Sequence, residues 1–432
     1  MNAARTTRPN LVLGMLLLVY IFNFVDRQIL AILAAPIQRD LELSDTQMGL
    51  LGGFAFALLY STLAIPFARL ADRNSRSWVI AISLGLWSLF TAATGFAQSF
   101  WHIFLARLGV GIGEAGGVAP SHALVTEYFP PEKRAFALSV YSLGIPLGSA
   151  IGVLAGGYIA AHVDWRAAFF VVGLAGVLLV PLFKLLVRDR RSSEPSVVAT
   201  DAVAEKPPGL AEIARLLAAK RSFWLLALGA ASSSMLGYGL AFWMPSLLQR
   251  SFNLDLVETS NYIGAIMLLG GTAGVLGGGW LGDRLGQADR VWFAWIPAIS
   301  FAIAVPLFAW GIASSSAGSA FLFFLIPQAL VYVWIGPVLS SVQHLVAPPH
   351  RATASALFLL INNLVGLGGG IYALGALSDT LAPVYGDEAL RYSMLWSLGL
   401  YGLAALLMAL AGPSLRRDWV IDEGRQTGES SA

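Results

Sequence analysis

The stretch Ala68-Arg69-Leu70-Ala71-Asp72-Arg73-Asn74-Ser75-Arg76 returns later in the chain as Gly279-Trp280-Leu281-Gly282-Asp283-Arg284-Leu285-Gly286. Each copy closes an apolar run of about 20 residues, and the two Asp-Arg pairs stand 211 residues apart. A second pair follows the same rule. Pro130-Pro131 with Arg134 is matched by Pro348-Pro349 with Arg351, the arginines 217 apart. The chain of 432 residues is therefore a duplicated array of apolar segments. Duplicated halves joined by a linker are a transporter design, with the substrate site near the bilayer midplane where the halves meet.

Composition agrees with that reading. The chain is 57% hydrophobic and 12% charged, with a mean hydropathy of +0.70. Soluble domains carry about 25% charged residues, and a soluble core stops growing near ~250–300 residues. A bilayer accepts such surface because its interior is itself an apolar solvent. A net charge of +2 gives no ground for a nucleic-acid partner. Cysteine is absent, which excludes disulfides and Cys-ligated metals, and the five histidines form no ligand-spaced cluster, so no metal site is expected.

Segments long and apolar enough to span fall at 10–36, 46–68, 77–98, 100–127, 134–162 and 166–188, then at 222–249, 259–282, 290–313, 317–346, 351–381 and 389–413. The expected fold class is an all-α membrane protein of twelve transmembrane helices in two pseudo-symmetric six-helix bundles. Residues 1–190 form the N-terminal bundle, 191–221 a cytoplasmic linker, 222–413 the C-terminal bundle and 414–432 a cytoplasmic tail. The first run, Leu11 to Val25, follows Arg5 and Arg8 as a signal peptide would, but Asp26-Arg27 interrupts it, so a retained span is expected. Ser192-Ser193-Glu194-Pro195 and Lys206-Pro207-Pro208-Gly209 mark the linker. Within it Leu210, Ile213, Leu216 and Leu217 share a helical face opposite Glu212, Arg215 and Lys220, predicting a short helix on the membrane surface. Twenty-one of the 27 Lys and Arg fall on one side, against Arg39, Arg166, Arg250 and Arg391 on the other. That bias predicts both termini in the cytoplasm.

Glycines recur every four residues at Gly144, Gly148, Gly152 and Gly156, at Gly270, Gly274, Gly278 and Gly282, and at Gly366 and Gly370. Each set lines one helix face, where bare backbone lets helices approach and slide.

The repeated Asp-Arg loops resemble the short cytoplasmic loop motif of the major facilitator superfamily. The first copy has Ala68 and Ser75 where the second has Gly279 and Gly286. Gly144-Ile-Pro146-Leu-Gly148, running on to Gly156-Gly157, and Trp165-Arg166-Ala-Ala-Phe169 are similar to that superfamily's fifth- and sixth-helix patterns. More narrowly, Asn23-Phe24-Val25-Asp26-Arg27, Arg107-Leu-Gly-Val-Gly-Ile-Gly113-Glu114-Ala115 and Tyr141-Ser-Leu-Gly-Ile-Pro146-Leu-Gly-Ser149 resemble the spinster family of lysolipid and sphingosine-phosphate transporters. The resemblance implies the major facilitator fold, a monomer, and proton-linked alternating-access movement of a single-chain amphiphile with a charged headgroup, such as a lysophospholipid or sphingosine-1-phosphate. No cofactor beyond the proton gradient is implied. The localisation expected is an integral multi-pass protein of the cell (inner) membrane.

Four charges fall well inside predicted helices: Asp26, Arg27, Arg107 and Glu114. Each costs at least ~2.5–3.5 kcal/mol at a bilayer centre unless paired or hydrated. Arg107 and Glu114 lie two turns apart on one helical face, where Asp26 or Arg27 can meet them. Asp26 and Glu114 are the expected proton-coupling groups, and Arg27 and Arg107 the headgroup ligands. The C-terminal half offers no such charges. Tyr238, Trp243, Met244, Tyr332, Trp334, Phe358, Asn362 and Asn363 give it an apolar and amide surface suited to an acyl chain. Asp72, Arg73, Arg134, Asp283 and Arg284 read as a cytoplasmic gate, with Glu127 in the same lattice.

Two other functions compete. A proton-coupled exporter of drugs or small organic anions would use the same Arg107 and Glu114. A membrane-embedded transferase would need a metal cluster, a nucleophile beside a base, or a phosphate-cradling loop, and the sequence offers none of them. The chain is therefore not expected to be an enzyme.

Overall fold

The computed structural model describes residues 8–189, 210–286, 288–347 and 350–420. The linker stretch 190–209, Pro348-Pro349 and the side chain of Asp283 lie outside the described residues. Among the described residues every regular element is helical.

Among the described residues eleven stretches are long and apolar enough to cross a membrane. The first six are Pro9–Ile32, Asp45–Arg73, Arg76–Thr94, Phe100–Tyr128, Phe136–His162 and Trp165–Leu186. Arg221–Ser251, Leu256–Gly286, Trp292–Ala313, Ala317–Gln343 and Thr353–Asp418 follow. The last has 66 residues, three times what the hydrocarbon needs. Gly386, at φ +55°, interrupts it, and a 3₁₀ turn at Gly386–Glu388 leads into a new helix at Ala389. The twelfth predicted span, 389–413, and all but the first two residues of the eleventh, 351–381, fall within it.

The duplication extends to the caps. Glu42 and Asn253, 211 residues apart, are the two non-glycine residues with positive φ among the described residues, at 51° and 55°. Two positions after each, Ser44 and Asp255 open the second and eighth spans through complete capping boxes with Gln47 and Glu258. Such boxes satisfy two orphan N–H groups at once. The first Asp-Arg loop turns without the glycines of the second. Asn74 is extended and Ser75 caps the third span by accepting from the Trp78 N–H, so no left-handed residue is required. Three π-helical turns, at Leu50–Phe54, Ile266–Gly271 and Asn363–Leu367, were not predicted. Each adds one residue to a turn and re-aims the helix beyond it.

The described chain packs as two compact units. One holds Met1–Thr200, Gly239–Leu268 and Ile371–Ser393; the other holds Asp201–Tyr238, Leu269–Gly370 and Met394–Ala432. In the first unit the fifth-span glycines lie against the first span. A methyl group on Gly148 would stand 2.5 Å from the Ile21 carbonyl oxygen, and one on Gly152 2.8 Å from the Val25 Cα. In the second unit the eighth-span ladder faces Leu325, Ala329, Val333 and Pro337 of the tenth span, while Gly366 and Gly370 meet Ser234 and Met235 of the seventh. The linker helix, Leu210–Ala218, belongs to this unit. Ile213 and Leu217 are buried while Leu216 is exposed, and the helix packs on Arg351–Asn362. Part of its apolar face, Ile213 and Leu217, is thus covered by protein, while Leu216 on the same face stays exposed.

Candidate functional site

The site is built where three helices converge on Glu114. In the fourth span, Gly111 admits the Phe56 carbonyl of the second span and Gly113 admits the Trp87 backbone of the third; a methyl on either would meet those atoms at 2.6 Å. Bare backbone on two faces draws both neighbours in and leaves Glu114 with no exposed surface. From the first span, Arg27 donates through Nε and Nη2 to the same Glu114 oxygen, Oε2, at 2.8 Å each. The other oxygen, Oε1, is buried without a hydrogen-bond partner, and the Asn23 amide faces the carboxylate.

Asp26 and Arg107 complete the cluster without a direct ion pair. Asp26 lies within electrostatic reach of Glu114, Arg107 and Arg27. Both of its oxygens are buried without a donor in hydrogen-bond geometry among the described residues, although the Thr91 hydroxyl faces it. Arg107 is 3% exposed, and its Nε is likewise buried without an acceptor. Buried ionisable groups without partners are costly, and in a spanning segment they mark function before packing. The four predicted charges therefore come together, with one pair made and one guanidinium left over.

An aromatic lining, absent from the sequence reading, holds the two arginines. The Arg27 guanidinium lies 5.2 Å from the Phe24 ring centre, 4.8 Å from Phe56 and 4.6 Å from Tyr60. Arg107 shares the Phe56 ring at 5.1 Å. Cations over ring faces gain about 0.5–2 kcal/mol, more as water is excluded. Beside this box Tyr20 stacks on Tyr141 at 4.3 Å, and exposed His122 abuts Tyr141 edge-on at 5.3 Å. The available signal was spacing: Phe24 precedes Arg27 by one turn, and Phe56 and Tyr60 are four residues apart.

The predicted acyl-chain residues are placed variously. Within the first unit Trp243 is fully buried and donates Nε1–H to the Ile371 carbonyl at 2.9 Å, and Met244 is buried beside it. Within the second, Phe358 is buried and edge-packed on Trp334, and Asn362 accepts from Ser234 Oγ at 2.8 Å. Tyr238, Tyr332 and Asn363 are half-buried, Asn363 opening a π turn.

At the predicted gate Asp72 lies 3.5 Å from Arg76, which also pairs with Glu127. Arg76, read from sequence only as a loop cation, is thus the hub. Arg134 donates to the Phe129 and Thr126 carbonyls at 3.1 and 3.0 Å, closing the end of the fourth span. Arg73 is exposed, and exposed Arg284 lies over its own helix's Trp280 at 5.4 Å.

The family model described as Major Facilitator Superfamily matches residues 16–370. The chain belongs to the major facilitator superfamily. Within that superfamily it is 36% identical to an "MFS-type efflux pump" of Mycolicibacterium smegmatis, over 95% of this chain and 94% of that protein. It is 29% identical to protein spinster of Drosophila melanogaster, over 84% of this chain and 61% of the fly protein. A crystal structure of a bacterial homologue of the human lysosomal transporter Spinster, inward-facing and unoccupied, superposes with a TM-score of 0.85 at 28% identity, covering 97% of this chain and all of that one. This transporter resembles the spinster proteins and is an integral multi-pass membrane protein, as expected of an inner-membrane carrier.

Proposed function

We propose that the chain is a proton-coupled, alternating-access carrier of a single-chain amphiphile with an anionic headgroup, crossing the bilayer twelve times with both termini in the cytoplasm. The observation that carries this reading is the Arg27–Glu114 pair with an unpaired Arg107 on the same Phe56 ring. While Glu114 is ionised it occupies Arg27. A proton arriving on Glu114 removes the counter-charge, and Arg27 and Arg107 then offer their N–H forks to a phosphate. Loss of the proton restores the internal pair and expels the headgroup. Asp26, within electrostatic reach of Glu114, is the second carboxylate of the proton path. Support for the orientation comes from the other side of the chain, where Arg166, Arg250 and Arg391 are neutralised by Asp40, Asp45 and Glu388. The acyl chain runs along the apolar residues of the second half, and the carrier works as a monomer.

The test is Glu114→Gln in proteoliposomes. Uptake by the variant should lose its dependence on pH while the protein still folds and inserts. A pH profile unchanged from wild type removes Glu114 from the proton path. The efflux-pump name of the Mycolicibacterium relative favours a second reading, export of drugs or small organic anions through the same charges. Competition separates the two, because lysolipid should inhibit transport only if it shares the site.

A further inference from the structure

We infer that Asp45, with Gln38, Arg250, Ser378 and Asp379, is a latch that holds closed the ends of the spans opposite the Asp72 loop, and that these are positioning residues of the transport cycle. All five lie in the first compact unit, yet Gln38 and Asp45 come from the first half of the chain and the other three from the second. Asp45 Oδ1 accepts from Gln38 Nε2 at 2.8 Å and Arg250 Nη2 at 2.7 Å. Its Oδ2 accepts from Arg250 Nη1 at 2.9 Å and Ser378 Oγ at 2.7 Å. Arg250 Nη2 donates also to Gln38 Oε1 at 2.8 Å. One carboxylate is thus saturated by donors from both halves, and the Arg pair is bidentate, the strong and directional form of this contact.

A second arm works through backbone. Asp379 accepts from the Asp45 N–H at 3.2 Å and the Thr46 N–H at 2.7 Å. These are the first two amides of the second span, which the Ser44–Gln47 capping box does not reach. Helix N-termini favour an anion at that point. The second span therefore carries an internal cap for its own stability and a second cap lent by the later half. If the latch opens, the internal cap remains and the helix stays intact. The backbones come close directly below. A methyl on Gly49 would lie 2.9 Å from the Ile371 oxygen, and Gly375 abuts the Asp45 carbonyl.

The sequence repeat breaks at the hub. The residue 211 positions after Asp45 is Leu256, although the caps on either side of this offset correspond. The latch is polar and partly wet, with the Arg250 side chain 30% exposed and Asp45 9%. It borders a 910 Å³ surface cavity that Arg39, Asp255 and Asp387 also line. Water can therefore replace its bonds one at a time, which suits a contact that must part and re-form in each cycle.

The absence of native cysteine permits a direct test. Ser246 is buried one turn inward of Arg250 on the same helix face, and its hydroxyl has no hydrogen-bond partner among the described residues. In a Ser246→Cys protein in proteoliposomes, an impermeant maleimide on the latch side should label slowly. Asp45→Asn and Arg250→Gln should each speed labelling roughly ten-fold, within the range of ordinary conformational couplings. The double variant should label no faster than either single one, since both break the same contact. Asp379→Asn, which touches only backbone amides, should give a smaller increase and serves if the Asp45 variant does not fold. Labelling at the wild-type rate in Arg250→Gln and Asp379→Asn overturns the latch. The functional meaning rests on the alternating-access reading, but the assay uses neither substrate nor proton gradient. A wrong substrate or coupling ion leaves its outcome unchanged.

Discussion

Glu114 pairs with Arg27 as an ion only while it is charged, and it is fully buried while the Arg27 side chain is 15% exposed. The aromatic box gives Arg27 a second anchor, through the ring faces of Phe24, Phe56 and Tyr60. Tyr60→Leu removes one wall of it and should raise the KM for an anionic amphiphile a few-fold, as expected for about 0.5–1 kcal/mol of lost cation–π contact. The pH profile of that variant should stay that of wild type, because the titrating group is untouched. Initial-rate uptake at several substrate concentrations checks both points. Arg107→Lys keeps the charge but loses the bidentate fork, and headgroup affinity measured by competition should fall about ten-fold. The four charges were legible in the sequence because an ion inside an apolar run stands out against its neighbours. The box was not, because with 24 Phe, 13 Trp and 12 Tyr a ring near a cation has no contrast. Which carboxylate would pair with which arginine was also hidden, since it depends on how two helices are rotated against each other.

At the scale of elements, glycine spacing predicted faces but not partners. The first span meets Gly148 and Gly152 backbone to backbone, whereas a methyl group on Gly14 would meet nothing within 4 Å. Gly148→Leu should therefore lower the melting temperature by the equivalent of about 1–3 kcal/mol of overpacking, while Gly14→Ala should be neutral or slightly stabilising. Thermal melts in detergent distinguish the two. The cap at Asp255 should be worth about 0.5–2 kcal/mol on replacement by Ala. In the loop before the ninth span, the Arg416 guanidinium and the Val291 N–H hold the Asp289 carboxyl below its usual range. That contribution is present above the unfolded value of about 3.9 and is lost as pH falls through the lower folded value. Asp289→Asn should accordingly remove an acid-side loss of stability, read as a flatter melting temperature below pH ~4. The π turns had no signature in the apolar pattern, because one inserted residue changes the twist locally without changing which residues are apolar.

For the whole molecule, the repeat was the most legible feature. The structure extends it to paired left-handed residues and capping boxes at the same 211-residue offset. The latch contacts were not legible, since Asp45, Arg250 and Asp379 are far apart in sequence and no spacing pairs them. Superfamily membership explains the architecture, and under the proposed function the charged cluster selects the substrate. The direct test is uptake of labelled sphingosine-1-phosphate and lysophospholipids into proteoliposomes, with and without an imposed pH gradient, for wild type and Arg107→Ala. The account predicts gradient-dependent accumulation that Arg107→Ala abolishes. Absence of accumulation for every lysolipid, or accumulation indifferent to both the gradient and Arg107, would contradict it.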